Sequence, residues 1–290
     1  MSERKINIMG KDFIYDDAKA FEEDGHVYCK TCKERVDNEP IKGFNDMILI
    51  FPRKCACDRK EEEIEKEKSR IKRINEMITK CYPTDLYKNA RLDDFKDNPE
   101  LHKVGKMYVD LFLENKADKI GLLFYGNVGS GKTHLAAAIA NEIMEKYEIQ
   151  CRMKNFSQII NDLSQGFEVD KNEYISKFTN TQLLILDDLG IQRNTEYATE
   201  QLFNVIDMRI QNGNPTIITT NIPLNLFLKS DELACKRIYS RVLDMCVPIS
   251  VSGEDRRMSK AKEKKRLFEE RLKAWEKEFR KNRQEVMELD

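Results

Sequence analysis

The most regular periodic signal lies in the middle of the chain, where short apolar runs alternate with helical patterns. Runs at 120–125, 150–154, 183–187, 216–220 and 247–250 read as strands, and the segments 131–147, 156–166, 197–212 and 231–245 between them read as helices. In the first of these helices Leu135, Ile139 and Ile143 recur every four residues, so it has one face to bury. The run "LLILDDLG" is apolar without interruption until its two aspartates, as a central strand covered on both faces requires. Strands alternating with helices predict an α/β fold with a parallel sheet between helical layers.

The pattern changes on either side of that block. Up to about residue 57, turn signals dominate and helical periodicity is lacking, so this stretch reads as a small separate module. From Asp58, "DRKEEEIEKEKSRIKRINEMI" places Ile64, Ile71, Ile74 and Ile78 on one face of a charged connecting helix, either solvated or a docking surface. Pro83 stops that helix, and irregular chain leads to another near 100–115. Beyond residue 253 a long helix carries Phe268, Leu272, Trp275 and Phe279 as one apolar stripe on an ionic rod. The stripe is expected to pack against the core, with partner binding as the sharper alternative. A nucleic-acid tail is disfavoured because basic and acidic residues are interleaved. Four segments result: 1–57, 58–99, 100–253 and 254–290. No internal repeat is visible.

Composition narrows the field. A chain of 290 residues has room for a nucleotide-binding core and one smaller module, with 40% hydrophobic residues to build it and 35% charged residues to cover it. Fifty basic against fifty-one acidic residues leave a formal net charge of −1, so any grip on nucleic acid must come from a local patch. No apolar run reaches the length of a membrane span, and "MSERKINIMGKDF" has charges where a signal peptide needs an apolar block, so the expected location is the cytoplasm. There, eight cysteines are expected as metal ligands or buried thiols rather than disulfides.

Spacing sorts the cysteines. Cys29 and Cys32 form C-x2-C, Cys55 and Cys57 form C-x-C, and two such pairs flanking a loop suit a tetrahedral structural zinc ion. His26 is a substitute ligand, and a small hydrophobic cluster of unrelated cysteines is the alternative. Cys81, Cys151, Cys235 and Cys246 show no pairing and read as ordinary thiols.

The chemistry of the central block begins with "GNVGSGKTH". Gly126, Gly131, Lys132 and Thr133 fit the phosphate-loop template, and strand, loop and helix stand in the required order. The stretch Gly126, Asn127, Val128, Gly129, Ser130, Gly131, Lys132, Thr133 and His134 is the expected nucleotide cradle, with backbone N–H groups and the helix dipole turned toward phosphate. Lys132 is expected to reach the β- and γ-phosphates and the Thr133 hydroxyl to ligate Mg²⁺. Asp187 would hold the Mg²⁺ shell and Asp188 would polarise the attacking water, unless Asp188 merely caps the next segment. Asn221 ends "PTIITTN" at the same sheet edge, either sensing the γ-phosphate or capping the turn before Pro223. Arg237 and Arg241 lie four apart on one helical face, either as a pair offered to a neighbouring subunit's ATP or as surface decoration.

Taken together, "GNVGSGKT", "LLILDDLG", "PTIITTN" and "KRIYSRV" resemble the motifs of AAA+ ATPases, in particular the DnaC/DnaI helicase-loader branch and its IstB transposition-helper relatives. The resemblance covers about residues 85–253. It implies an AAA+ P-loop NTPase core beside a small N-terminal zinc-binding module and a C-terminal helix. It also implies Lys132 and Thr133 as the Walker A pair, Asp187 and Asp188 as the Walker B pair, and Asn221 as sensor 1. Arg241 matches the trans-acting arginine finger best, and Arg237 competes. The chain after residue 250 is too short and linear for a complete helical lid, with Arg256 or Arg257 as substitutes for a sensor 2 arginine. The implied function is an ATPase of slow turnover that loads a hexameric replicative DNA helicase onto single-stranded DNA and self-associates through its ATP sites. A transposition helper acting on duplex DNA and a non-hydrolysing adaptor are the alternatives.

Overall fold

Two units make up the chain, Met1–Arg73 and Ile74–Asp290. The structure, a computed structural model, describes residues 3–42, 48–164, 171–190, 196–229, 233–253 and 256–287.

Unit one begins with two antiparallel hairpins, β1 (Glu3–Ile8) with β2 (Lys11–Asp16), and β3 (Ala20–Glu23) with β4 (His26–Cys29). Both turn on two residues with positive φ, Met9-Gly10 and Asp24-Gly25, which matches the twist of the flanking strands. Alternation along the first hairpin buries Ile6, Ile8, Phe13 and Tyr15, and these pack with Ala20 and Val27 in a core of few side chains. A short pair, β5 (Ile41–Lys42) and β6 (Ile48–Leu49), follows, and then helix α1 (Ala56–Cys81). Along α1, Ile64 and Ile71 are exposed while Ile74 and Ile78 are buried, so the predicted isoleucine face is solvated in its first half.

Unit two takes in the last turns of α1. Between α1 and the next helix, the stretch read as irregular chain forms short 3-10 turns at Asp85–Tyr87 and Leu92–Phe95, and Tyr82, Leu92 and Phe95 are buried in the main core. Helix α2 (Pro99–Asp110) has Pro at its first position and an N-cap in Asn98, whose Oδ1 accepts the Leu101 N–H at 3.2 Å. Then come α3 (Phe112–Ala117), β7 (Gly121–Tyr125), α4 (Lys132–Tyr147), β8 (Cys151–Asn155), α5 (Phe156–Ser164), α6 (Lys171–Thr179) and β9 (Leu183–Asp187). The chain continues with α7 (Glu196–Asn212), β10 (Thr216–Thr220), α8 (Leu224–Lys229), α9 (Leu233–Met245), β11 (Cys246–Ser250) and α10 (Arg256–Met287).

The five predicted strands form one sheet in the order β11-β7-β10-β9-β8, with every pairing parallel. Successive residues face opposite layers: Leu122, Phe124, Leu183, Ile185 and Ile217 pack in one core with Leu135, Ile139 and Ile143 of α4. Leu123, Leu184, Leu186 and Ile218 pack in the other with side chains of α5, α7 and α9. Cys81, Cys151, Cys235 and Cys246 are buried as expected of ordinary thiols.

A charged side chain is buried here as well. Arg209, in the last turn of α7, is fully buried and donates to the carbonyls of Thr179, Thr181 and Pro215 and to the Thr216 hydroxyl. Burial lowers its pKa to about 10. Five guanidinium donors suit this ring of acceptors, which pins the entries to β9 and β10 from below the sheet. Arg209→Met is expected to lower the unfolding free energy by about 3 kcal/mol, read as a fall in the urea midpoint at unchanged slope.

Candidate functional site

The site grows from the upper ends of β7, β9 and β10. Register places Thr220 beside Tyr125, so β10 ends where the glycine loop begins. Gly126 leaves β7 with φ 147°, and a Cβ there would lie 2.3 Å from the Val251 carbonyl oxygen, a double reason for glycine. Gly131 stands at φ 95° just before α4, a conformation costly to any side chain. The loop then delivers Lys132, 7% exposed, whose ammonium donates to the carbonyls of Gly126 at 2.9 Å and Asn127 at 2.7 Å. Ser130 is buried beside it, and Val128 stands exposed at the loop's crest. The His134 imidazole turns away from the loop, with Nε2 at 2.6 Å from Asp94 Oδ2 and its ring against Phe95, tying the first turn of α4 to the turn at Leu92–Phe95.

At the heart of the site is the Asp187 carboxylate. Its Oδ1 accepts the Thr133 hydroxyl at 2.7 Å and the Thr219 hydroxyl at 2.7 Å. Burial raises its pKa, against the two hydroxyl bonds that favour the anion. The backbone then turns sharply at Asp188, which has a left-handed φ of 55°. Its N–H donates to Thr219 Oγ1 at 3.0 Å, and its exposed carboxylate accepts Asn221 Nδ2 at 3.2 Å. Lys132, Thr133, Asp187, Asp188 and Asn221 thus converge as sequence reasoning expects. Thr219 was missed. Its signal is a hydroxyl on the inward face of an otherwise β-branched apolar strand, one position before the strand ends.

The donors fit a magnesium-bound triphosphate. A hydroxyl and a carboxylate oxygen in contact offer the hard ligands that Mg²⁺ selects, and the lysine and loop amides beside them suit phosphate oxygens.

Arg237 and Arg241 are not drawn into this cluster. Both lie on α9 against α7, with their guanidinium carbons 4.7 and 5.5 Å from the Phe203 ring centre, and Arg241 pairs with Asp207 at 2.8 Å. The side chains of Arg256 and Arg257 lie outside the described residues. Among the described residues, the chain after β11 continues as the helix α10.

In unit one the four cysteines meet. The sulfurs of Cys29, Cys32, Cys55 and Cys57 all lie within 4.8 Å of one another, drawn from the end of β4 and the start of α1. Tetrahedral thiolates about 2.3 Å from zinc stand roughly 3.8 Å apart, so this cluster fits a structural zinc module. The Glu34 backbone N–H stabilises the Cys32 thiolate and lowers its pKa to about 6, whereas burial pushes the Cys55 thiol up to about 12. Glu34 also clamps the two halves of the cluster together, accepting from the Ala56 N–H and pairing with Arg59 at 3.1 Å. His26, the substitute ligand expected from the sequence, is not one of this cluster: the grouped ligand atoms are the four sulfurs, and its Nδ1 lies 2.9 Å from Asp37 Oδ2. Asp37 has good reason to be ionised there: burial opposes its charge, but bonds from Arg35, the Val27 N–H and His26 hold its carboxyl below the usual range.

The Bacillus subtilis (strain 168) protein "Replicative helicase loader DnaI" is 23% identical over 252 residues, covering 79% of this chain and 78% of its own length. "Putative ATP-binding protein Rv3427c in insertion sequence" of Mycobacterium tuberculosis is 28% identical over 172 residues, covering 58% of this chain and 67% of that protein. Among solved structures, the DnaC helicase loader matches with a TM-score of 0.50 and 27% identity over 58% of this chain and 100% of that one. The fold is therefore the AAA+ P-loop fold. No described helix is long and apolar enough to cross a membrane. Residues 61–265 match the family described as "IstB-like ATP binding protein", well over half of the sequence, and the chain belongs to that family.

Proposed function

We propose that this chain is an ATP-dependent loader of a hexameric replicative DNA helicase onto single-stranded DNA, working as a nucleotide switch through subunit assembly. The observation that carries this reading is the breadth of the similarity to DnaI. A match to 79% of the chain is longer than unit two and so takes in at least part of the N-terminal unit, a broader similarity than the insertion-sequence relative has. The insertion-sequence relative matches only 58% of the chain, and its slightly higher identity supports the second reading, a transposition helper that recruits a transposase on duplex DNA.

In the proposed loader, residues 1–57 engage the helicase, residues 58–99 connect, and residues 100–253 bind ATP. The four thiolates would hold zinc, which closes a unit whose own apolar core is small. Thr133 and Asp187 would hold Mg²⁺, and the residues from Gly126 to His134 would wrap the triphosphate. The bound metal and nucleotide supply the charge stabilisation and the scissile phosphate bond. Lys132 exchanges its loop carbonyls for phosphate oxygens. Asp188, exposed and aimed by Asn221, accepts a proton from the attacking water. Arg241, released from Asp207, or Arg237 reaches the γ-phosphate of a neighbouring subunit. ATP then works only as far as it binds one assembled state better than another.

Two measurements test this. Asp188→Asn should keep nucleotide binding and lower phosphate release at least about 100-fold; unchanged release contradicts the base assignment. Immobilised full-length protein should retain a purified replicative helicase with ATP present, and a Cys32→Ser/Cys57→Ser variant should lose that retention while still binding nucleotide. Retention of a transposase and not of the helicase would favour the second reading.

A further inference from the structure

Asp188 stands in a conformation that its residue type disfavours. Among the described residues, the other non-glycine positions with left-handed φ lie in hairpin turns, in the cysteine loop or just beyond helices, whereas Asp188 takes its φ of 55° directly at the end of β9. A side chain is strained there, so the surrounding structure must hold the turn. The holding element is β10.

Thr219 grips the turn at three points. Its hydroxyl donates to Asp187 Oδ1 at 2.7 Å and accepts the Asp188 N–H at 3.0 Å, and its carbonyl oxygen accepts the Leu189 N–H at 2.8 Å. Thr220 adds a fourth bond, from its hydroxyl to the Leu189 carbonyl oxygen at 2.6 Å. Both threonines are buried, which keeps water from standing in for these bonds, and the Leu189 side chain is buried in the second core.

The hydroxyl of Thr219 is the part of this grip that strand pairing does not supply. The Leu184 N–H bonds to the Pro215 carbonyl, and because parallel ladders are evenly spaced, the Asp188 N–H four residues on would fall to the Thr219 carbonyl. The left-handed turn gives that carbonyl to Leu189 instead. The displaced Asp188 N–H is then taken up by the hydroxyl of the same threonine, so the turn is closed with no buried donor left over. Valine would fill the same space with the same branching and accept nothing. An unpaired N–H in that interior favours release of the turn, which would carry the Asp188 carboxylate away from Asn221.

We infer that Thr219 is a positioning residue for ATP hydrolysis: its hydroxyl stands in for a ladder carbonyl and so locks Asp188 in the turn that aims its carboxylate. The kinetic consequence rests on the proposed reading of Asp188 as the base; the lock itself does not. Hydrogen exchange on the full chain without nucleotide reads the lock. In Thr219→Val the Leu189 amide, whose acceptor is a main-chain carbonyl that survives the substitution, should exchange faster along with that of Asp188, and Thr219→Ser should restore both. Faster exchange at Asp188 alone would make the hydroxyl a single local bond and overturn the inference. In steady-state kinetics Thr219→Val should keep the KM for ATP within about twofold while kcat falls at least about tenfold, and Thr219→Ser should recover that loss. A smaller fall, a matching rise in KM, or no recovery with serine would equally overturn it. Should Thr219→Val not fold, Thr219→Ala carries the same readouts. A wild-type chain that releases no phosphate would sink the proposed hydrolysis, and the exchange at Leu189 would still decide whether Thr219 holds the turn.

Discussion

A single carboxylate oxygen organises the site. Asp187 Oδ1 takes one hydroxyl from the first turn of α4 and one from the last turn of β10, and its own backbone ends β9. Three elements are thereby fixed at their catalytic ends by two bonds of 2.7 Å each. Burial works against the charge that makes those bonds strong and raises the carboxyl's pKa, while the two threonine hydroxyls and the Asp188 N–H favour the anion. The left-handed turn at Asp188 follows from this anchoring: its N–H is caught by the same Thr219 hydroxyl, and the next carboxylate is carried outward to Asn221. Thr133, Asp187 and Thr219 thus form one hydrogen-bonded chain from the first turn of α4 to the strand that leads to Asn221. A nucleotide switch needs a connection of this kind between its phosphate end and the rest of the sheet.

The opposite end of the sheet is held by different physics. Arg209 bonds to neutral acceptors, three carbonyl oxygens and one hydroxyl, so its charge is solvated largely by backbone dipoles. Because those carbonyls precede β9 and β10, the two strands that present Asp187 and Asn221 are fixed at both ends. Rigidity between two anchors lets a contact at the phosphate loop reach the far side of β10 without being absorbed by strand movement.

How much of this was legible in the sequence depended on whether a signal was local. Strands buried on both faces write continuous apolar runs, and all five were found to within a residue or two. The helices between them announced themselves by period, whereas α6 and α8 are short and left no comparable trace. Motif spacing led to Lys132, Thr133, Asp187, Asp188 and Asn221, and to the four clustered cysteines, because those groups recur at fixed offsets from a strand or a turn. Thr219, Arg209 and the bond between His134 and Asp94 were not legible. Each joins residues brought together only by strand order and register, and nothing in a single chain read end to end marks which threonine in a β-branched run will face a carboxylate. His26 shows the converse: its sequence neighbourhood suggested a metal ligand, yet the fold clusters the four cysteines without it and sets it beside Asp37.

The C-terminal stripe raises the same issue, since periodicity identifies a face and not what it meets: Phe268 and Trp275 are 67% and 58% exposed, where packing against the core was expected. In the proposed loader, an ATP site completed by a neighbour's arginine is head-to-tail and can continue to further subunits. A seam too weak to form between free chains would be populated once nucleotide tips its balance, and would dissolve after hydrolysis. Weak seams are what a switch requires, because a seam strong enough to assemble unaided would leave the nucleotide with nothing to decide.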